Sequence, residues 1–209
     1  SLRLVLPEEA ETAFKLIQLP EPPAITGTAQ GNWNAKEAIT FRGTFAASNF
    51  VARGIDVKDV GGEMFYSNQV LEAWNVSAHM GTGAVRAPYL RMDFPAEVML
   101  VTNAVSTANP YDAMHIVGPE SYDAIDPYRF TYPPTVLVNG LVPLRTVDKA
   151  DLRFEVAGSE FTFWRFRVPA LTGTVHWRGN ELWVTNVDAS FYRGRGKFDG
   201  YFFIHDGED

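Results

Sequence analysis

Four histidines, a knot of carboxylates and two glycine-rich stretches are the residues of this chain with chemistry to offer. A metal site wants ligands two or four apart on one element, and His79, His115, His176 and His205 have no such partners. They read as strand or surface positions. Glu8, Glu9 and Glu11 are close enough for a general acid–base pair. Pro7 precedes them, however, and carboxylates behind a proline describe the first turn of a helix. Gly81-Thr82-Gly83 and Arg193-Gly194-Arg195-Gly196 have the glycine content of phosphate loops but not the strand–loop–helix setting, so they read as tight turns. Arg193, Arg195 and Lys197 form a small basic cluster of a size to meet a lipid headgroup, with a solvated hairpin as the plainer reading. Asn75-Val76-Ser77 fits the glycosylation pattern, which matters only in a eukaryotic secretory setting. No Gly-x-Ser-x-Gly element or Ser/His/Asp set is recognisable. The expectation is a protein that is not an enzyme and needs no cofactor or metal.

The bulk composition narrows the partners. With 209 residues the chain has room for one large β-domain or two units of about 100. Its 15 Phe, 8 Tyr and 5 Trp supply a sizeable apolar core. A net charge of −7 without any Lys/Arg block speaks against nucleic acid, whose footprint is a basic patch. The absence of cysteine removes disulfides, thiolate metal sites and a Cys nucleophile, and fits a bacterial cytoplasm or periplasm. No run of about 18 apolar residues is present to span a bilayer. Ser1–Leu6 starts in mid-pattern, which leads to the expectation of a segment from a longer protein.

Helical spacing occurs in two places. Residues 8–19 carry Ala10, Phe14 and Ile17 at helical intervals and stop at Pro20 and Pro22-Pro23. Residues 110–126 form a helical linker opened by Asn109-Pro110 and followed by Pro133-Pro134. The rest alternates with period two. The pattern predicts strands near 24–33, 37–47, 49–57, 60–67, 69–80, 84–93 and 97–104, then near 135–145, 150–158, 160–168, 171–178, 181–191 and 195–204. Ser48-Asn49 and Gly61-Gly62 are read as turns, and Gly179-Asn180 as a two-residue turn with positive φ.

The two strand runs are related. A shift of 111 residues lays Arg42–Gly83 on Arg153–Gly194 without a gap and matches eleven of 42 positions, where roughly two or three would match by chance. Both copies lose their alternation at one asparagine, Asn75 and Asn186, and a one-residue slip of that kind needs a β-bulge. The expected fold is therefore mainly β. Two tandem antiparallel β-meander repeats, 1–109 and 110–209, each preceded by a short helix, would join in one continuous curved sheet or groove.

The phrases of that repeat resemble a known family. Gly43–Phe50, Val60–Tyr66, Leu71–Ala78 and Gly81–Arg86 in the first copy, and Gly158–Phe161, Leu171–Trp177, Leu182–Ala189 and Gly194–Gly200 in the second, are similar to the repeat of AsmA-like, TamB-like envelope proteins, a group of bridge-like lipid-transfer proteins. The resemblance implies a periplasmic segment, anchored in the inner membrane by a helix elsewhere in the full-length protein. It implies an apolar β-groove that shields phospholipid acyl chains in lipid transport or outer-membrane biogenesis. The groove-lining candidates are Phe50, Met64, Tyr66, Leu71, Val76, Ala78 and Met80, with Phe161, Val175, Trp177, Leu182, Val187, Ala189 and Phe191 in the second copy.

Two other arrangements use the same residues. The apolar side chains can close on one another as a dry core. A β-sandwich module can bind carbohydrate or protein through Trp164, Trp177 and Trp183. Edge strands near Leu4 and Phe202 would in either case invite self-association or assembly with a neighbour.

Overall fold

The structure, a computed structural model, describes residues 17–18, 20–32, 35–52, 54–117, 128–144, 150–163, 165–191 and 193–203. Thirteen strands make one antiparallel sheet. They are β1 (Ile17–Gln18), β2 (Ala24–Asn32), β3 (Ala35–Ala52), β4 (Ile55–Ser67), β5 (Val70–Met80), β6 (Gly83–Asp93), β7 (Val98–Ser106), β8 (Tyr128–Phe130), β9 (Thr135–Pro143), β10 (Asp151–Phe163), β11 (Phe166–Arg178), β12 (Glu181–Phe191) and β13 (Gly194–Phe203). Among the described residues one helix, α1 (Pro110–Val117), lies between β7 and β8. The sheet is open, with strand order β1-β3-β4-β5-β6-β7-β9-β10-β11-β12-β13; β2 pairs with β3, and β8 with β10. The short β1 and the long β2 share one column beside β3, and β8 and β9 share one beside β10.

Local chemistry explains the connections. Asn68 and Gln69, both at positive φ, turn β4 into β5. Gly54 at φ 84° turns β3 into β4, and Gly179 at φ 55° turns β11 into β12 as its Gly-Asn pair predicts. Asn109 caps α1, its Oδ1 accepting the Tyr111 N–H at 3.0 Å, and Pro110 takes the first helical position, where no N–H is needed.

Several expected elements differ. The helix expected over 8–19 fails at its end, because Ile17 and Gln18 are β1, paired with Ala52 and Val51; residues 8–16 and 19 lie outside the described residues. The linker 110–126 is helical over 110–117, and 118–127 lie outside. Ser48-Asn49 is no turn, since β3 runs through it with Asn49 opposite Lys58. Likewise β10 runs through 158–160. Each trio of short strands expected near the start of a meander is a pair of long ones.

Five non-glycine residues inside strands take positive φ: Asp59, Asn75, Asn103, Glu160 and Asn186. The register slips between Val184 and Val187 around Asn186, and between Gly61 and Glu63 opposite Asn75. Both are the bulges that the broken alternation predicts. Asn103 sits in a third, between Val101 and Ala104. Bulge backbone freed from the ladder finds side chains: the Asn103 N–H donates to Asn139 Oδ1 and the Asn186 N–H to Asp199 Oδ1, both at 2.7 Å.

Candidate functional site

Because paired residues share a face, the registers trace one row across the whole sheet. It runs Gly27, Gly43, Met64, Ala73, Leu90, Val101, Gly140, Leu152, Trp177, Leu182 and Phe202, without a charged or hydroxyl side chain. At about 4.8 Å per strand this row is about 48 Å long. One residue over, on the other face, the row is Thr28, Arg42, Phe65, Glu72, Arg91, Leu100, Leu141, Asp151, Arg178, Glu181 and Phe203. The sheet thus has one apolar face and one mixed, largely polar face.

Cover over the apolar face is uneven. Where β3 turns into β4 and β5 into β6, Ala52, Val57, Met80 and Ala108 are buried, with Phe50, Ala78 and Ala113 of α1 against them. Where β10 turns into β11 and β12 into β13, Phe161, Val168, Val187 and Ala189 are buried, with Tyr128 and Phe130 of the neighbouring strand β8 packed against them. Phe130 and Phe161 lie 5.6 Å apart between ring centroids. A third cluster, Ala87, Val101 and Ala104, sits mid-sheet. Outside these clusters Ala73 and Leu152 of the row are also buried and most of the rest of the face is half-buried; no large side chain among the described residues falls below 2 % exposure.

The fourteen groove candidates therefore divide. Met80, Phe161, Val187 and Ala189 are buried, and Phe50, Ala78 and Phe191 pack on the same clusters. Val76 leans on the mid-sheet cluster. Met64, Tyr66, Leu71, Val175, Trp177 and Leu182 are half-buried on the uncovered part of the face. Burial there pushes the Tyr66 phenol above its usual range. The Trp177 Nε1–H donates to the Gly179 carbonyl at 2.6 Å, which leaves its ring as an apolar surface. Phe41, Phe45, Leu90, Met92, Met99, Val138 and Phe154 belong to this face as well. Their signal is plain alternation, as in Phe41-x-Gly43-x-Phe45; Phe41, Leu90, Met92, Met99 and Val138 lie outside the aligned copies, whereas Phe45 and Phe154 fall within them.

The other marked residues form no reactive set. His79 stands 3.7 Å from Asp59, both exposed. The Nε2 of His176 lies 2.7 Å from Asp151 Oδ1. His115 is exposed on α1, and His205 and Glu8, Glu9 and Glu11 lie outside the described residues. Among the described residues no three His, Asp or Glu come together as metal ligands. The basic cluster is largely engaged by Asp188, which holds Arg195 by two bonds of 2.5 and 2.6 Å and has Lys197 at 3.9 Å. A shallow depression of about 290 Å³ lies beside it at the Asn186 bulge, lined by Asp188, Lys197 and Asp199 as well as Val187 and Phe198, so it does not extend the apolar row. Trp177 and Trp183 point to opposite faces, Trp177 opposite Leu182 and Trp183 opposite His176, so they do not form one tryptophan row. Trp164 lies outside the described residues. On the polar face His176, Trp183 and Tyr201 form a ladder with 5.6 Å between successive rings.

No helix among the described residues is long and apolar enough to cross a membrane. Compared with family models, with curated proteins and with solved structures, the chain matches none.

Proposed function

We propose that this chain is a non-enzymatic, AsmA-like segment of a periplasmic protein, whose apolar sheet face shields lipid acyl chains during lipid transport or outer-membrane biogenesis. The observation that carries this reading is the apolar row from Gly27 to Phe202, uninterrupted across an open sheet. A face of this kind has to be matched by something apolar. Each methylene of an acyl chain laid on it and removed from water contributes about 0.8 kcal/mol.

The tandem-repeat reading supports the comparison with that family. β2 at 24–32 and β9 at 135–143 differ by 111 residues at both ends. So do β4 and β11, 55–67 and 166–178, and β5 and β12, 70–80 and 181–191. The short strands β1 and β8 begin at 17 and 128, the same distance apart. In this reading each unit is a short strand, a long strand and a four-strand meander, and an inner-membrane anchor belongs to another part of the full-length protein.

The test is lipid content. Chain purified from bacterial envelope and studied by native mass spectrometry and organic extraction is expected to carry phospholipid. Met64→Glu and Trp177→Glu, each placing a charge on the open part of the row, are expected to lower lipid content at least severalfold with circular dichroism unchanged. Lipid-free protein that also fails to bind a fluorescent fatty-acid probe sinks the reading.

A further inference from the structure

The face opposite the apolar row carries two sets of like residues. On β5, Glu72 and Trp74 stand two apart. Trp74 pairs with Tyr89 of β6, ring centroids 6.0 Å apart, and the Tyr89 hydroxyl donates to Glu72 Oε1 at 2.5 Å. On β12, Glu181 and Trp183 stand two apart. Trp183 pairs with Tyr201 of β13, centroids 5.6 Å apart, and the Tyr201 hydroxyl donates to Glu181 Oε1 at 3.1 Å. An arginine stands opposite each glutamate, Arg91 and Arg178. Each arginine has a second carboxylate beside it, Asp93 at 3.2 Å from Arg91 and Asp151 paired with Arg178. The repeat does not account for the likeness, because a shift of 111 lays Glu72 on Trp183 and Tyr89 on Gly200.

The two sets share one row of the sheet. From Trp74 and Tyr89 it passes Thr102, meets Asn139 across the Asn103 bulge, and continues through Arg153 and His176 to Trp183 and Tyr201. Aromatic pairs thus stand at both ends of a stretch whose other side chains all carry hydrogen-bonding groups. Trp74 and Trp183 are six strand spacings apart, about 29 Å. Trp74, Tyr89 and Trp183 are half-buried, and their strands have neighbours on both sides. Helix α1 packs against the apolar face instead.

This arrangement selects a ligand. Rings whose hydroxyls are tied down are rigid stacking surfaces, ordered before anything binds. The carboxylates stand against guanidiniums, so the row offers acceptors and donors side by side rather than bare charge. Such a mixture suits hydroxyl groups, each of which donates and accepts. A sugar joins the two needs, with an apolar C–H face for a ring and hydroxyls around its rim. A row of this length asks for an extended chain, and a β-linked hexose unit advances by roughly one strand spacing.

We infer that this row is a binding strip for a neutral, extended, β-linked oligosaccharide: a sugar stacks on each tryptophan, and the neighbouring glutamate and arginine hold its hydroxyls. The strip lies on the face opposite the apolar row, so it stands or falls apart from the lipid reading.

Calorimetry and tryptophan fluorescence with cellohexaose and chitohexaose test it. At least one hexamer is expected to bind, about tenfold or more tighter than its disaccharide, since only the longer chain reaches both sets. Trp74→Ala and Trp183→Ala are each expected to weaken hexamer binding about tenfold or more, whereas Trp74→Phe keeps most of it because a ring remains. Circular dichroism checks that the variants fold. The proposal is overturned by a parent chain that binds neither hexamer, by hexamers bound no tighter than disaccharides, by folded alanine variants that bind like the parent, or by choline bound more tightly than either hexamer.

Discussion

Asn186 holds φ at 54° inside β12, with its N–H bonded to Asp199 and its neighbours Val187 and Val184 both turned to the apolar face. Asparagine tolerates this left-handed conformation; a β-branched residue does not. Asn186→Val is expected to cost about 1–2 kcal/mol in urea unfolding, whereas Asn186→Gly stays close to the parent. Because the N–H survives both changes, the difference isolates backbone conformation from hydrogen bonding. Two residues on, hydrogen bonds from Arg195 hold the Asp188 carboxyl below the usual carboxylate range. A depressed carboxylate stabilises the fold above its unfolded pKa, and that contribution is lost as pH falls through the folded value, below about pH 4. Parent and Asp188→Asn are therefore expected to differ in urea midpoint at pH 7 and to converge toward pH 2.5.

At the scale of elements, the two buried clusters packed against α1 and β8 are what fix the hairpin ends of the sheet. Phe161 is 5 % exposed and meets Tyr128, Phe130, Val168 and Val187. Phe161→Ala is expected to cost about 3–5 kcal/mol, read from chemical unfolding, with the damage centred on β8 and β10. This level was well legible in the sequence for the strands over 24–32, 70–80, 83–93, 181–191 and 194–203, where alternation and turn residues agree. It failed where a turn residue served another end. Gly62 was read as a turn, yet a Cβ there would come within 3.1 Å of the Phe45 ring and 3.0 Å of the Trp74 carbonyl; the glycine is there for close approach. Ser48-Asn49 lies within an exposed stretch of β3 where the ladder continues, and the chain reverses at Gly54 instead. The tail of the first expected helix became β1 because Ile17 and Gln18 find open backbone at Val51 and Ala52, a tertiary pairing that helical spacing does not encode.

For the molecule as a whole, alternation told which side chains share a face, and the row from Gly27 to Phe202 follows from it. Alternation says nothing about what lies over that face. Half of the candidate residues turned out to sit in or against packed clusters because α1 and β8 reach them, and α1 and β8 are placed by long-range contacts. The strand order has a further consequence. Apart from the step from β7 to β9, each long strand from β2 onward pairs with the next in the chain. Loops this short cost little entropy to close, so any hairpin can start the sheet and its neighbours can add one at a time. The same arithmetic runs backward. A strand lost from either margin gives up one neighbour, and a strand lost from the middle gives up two, so the molecule frays inward from β2 and β13 while β6, β7 and β9 hold longest.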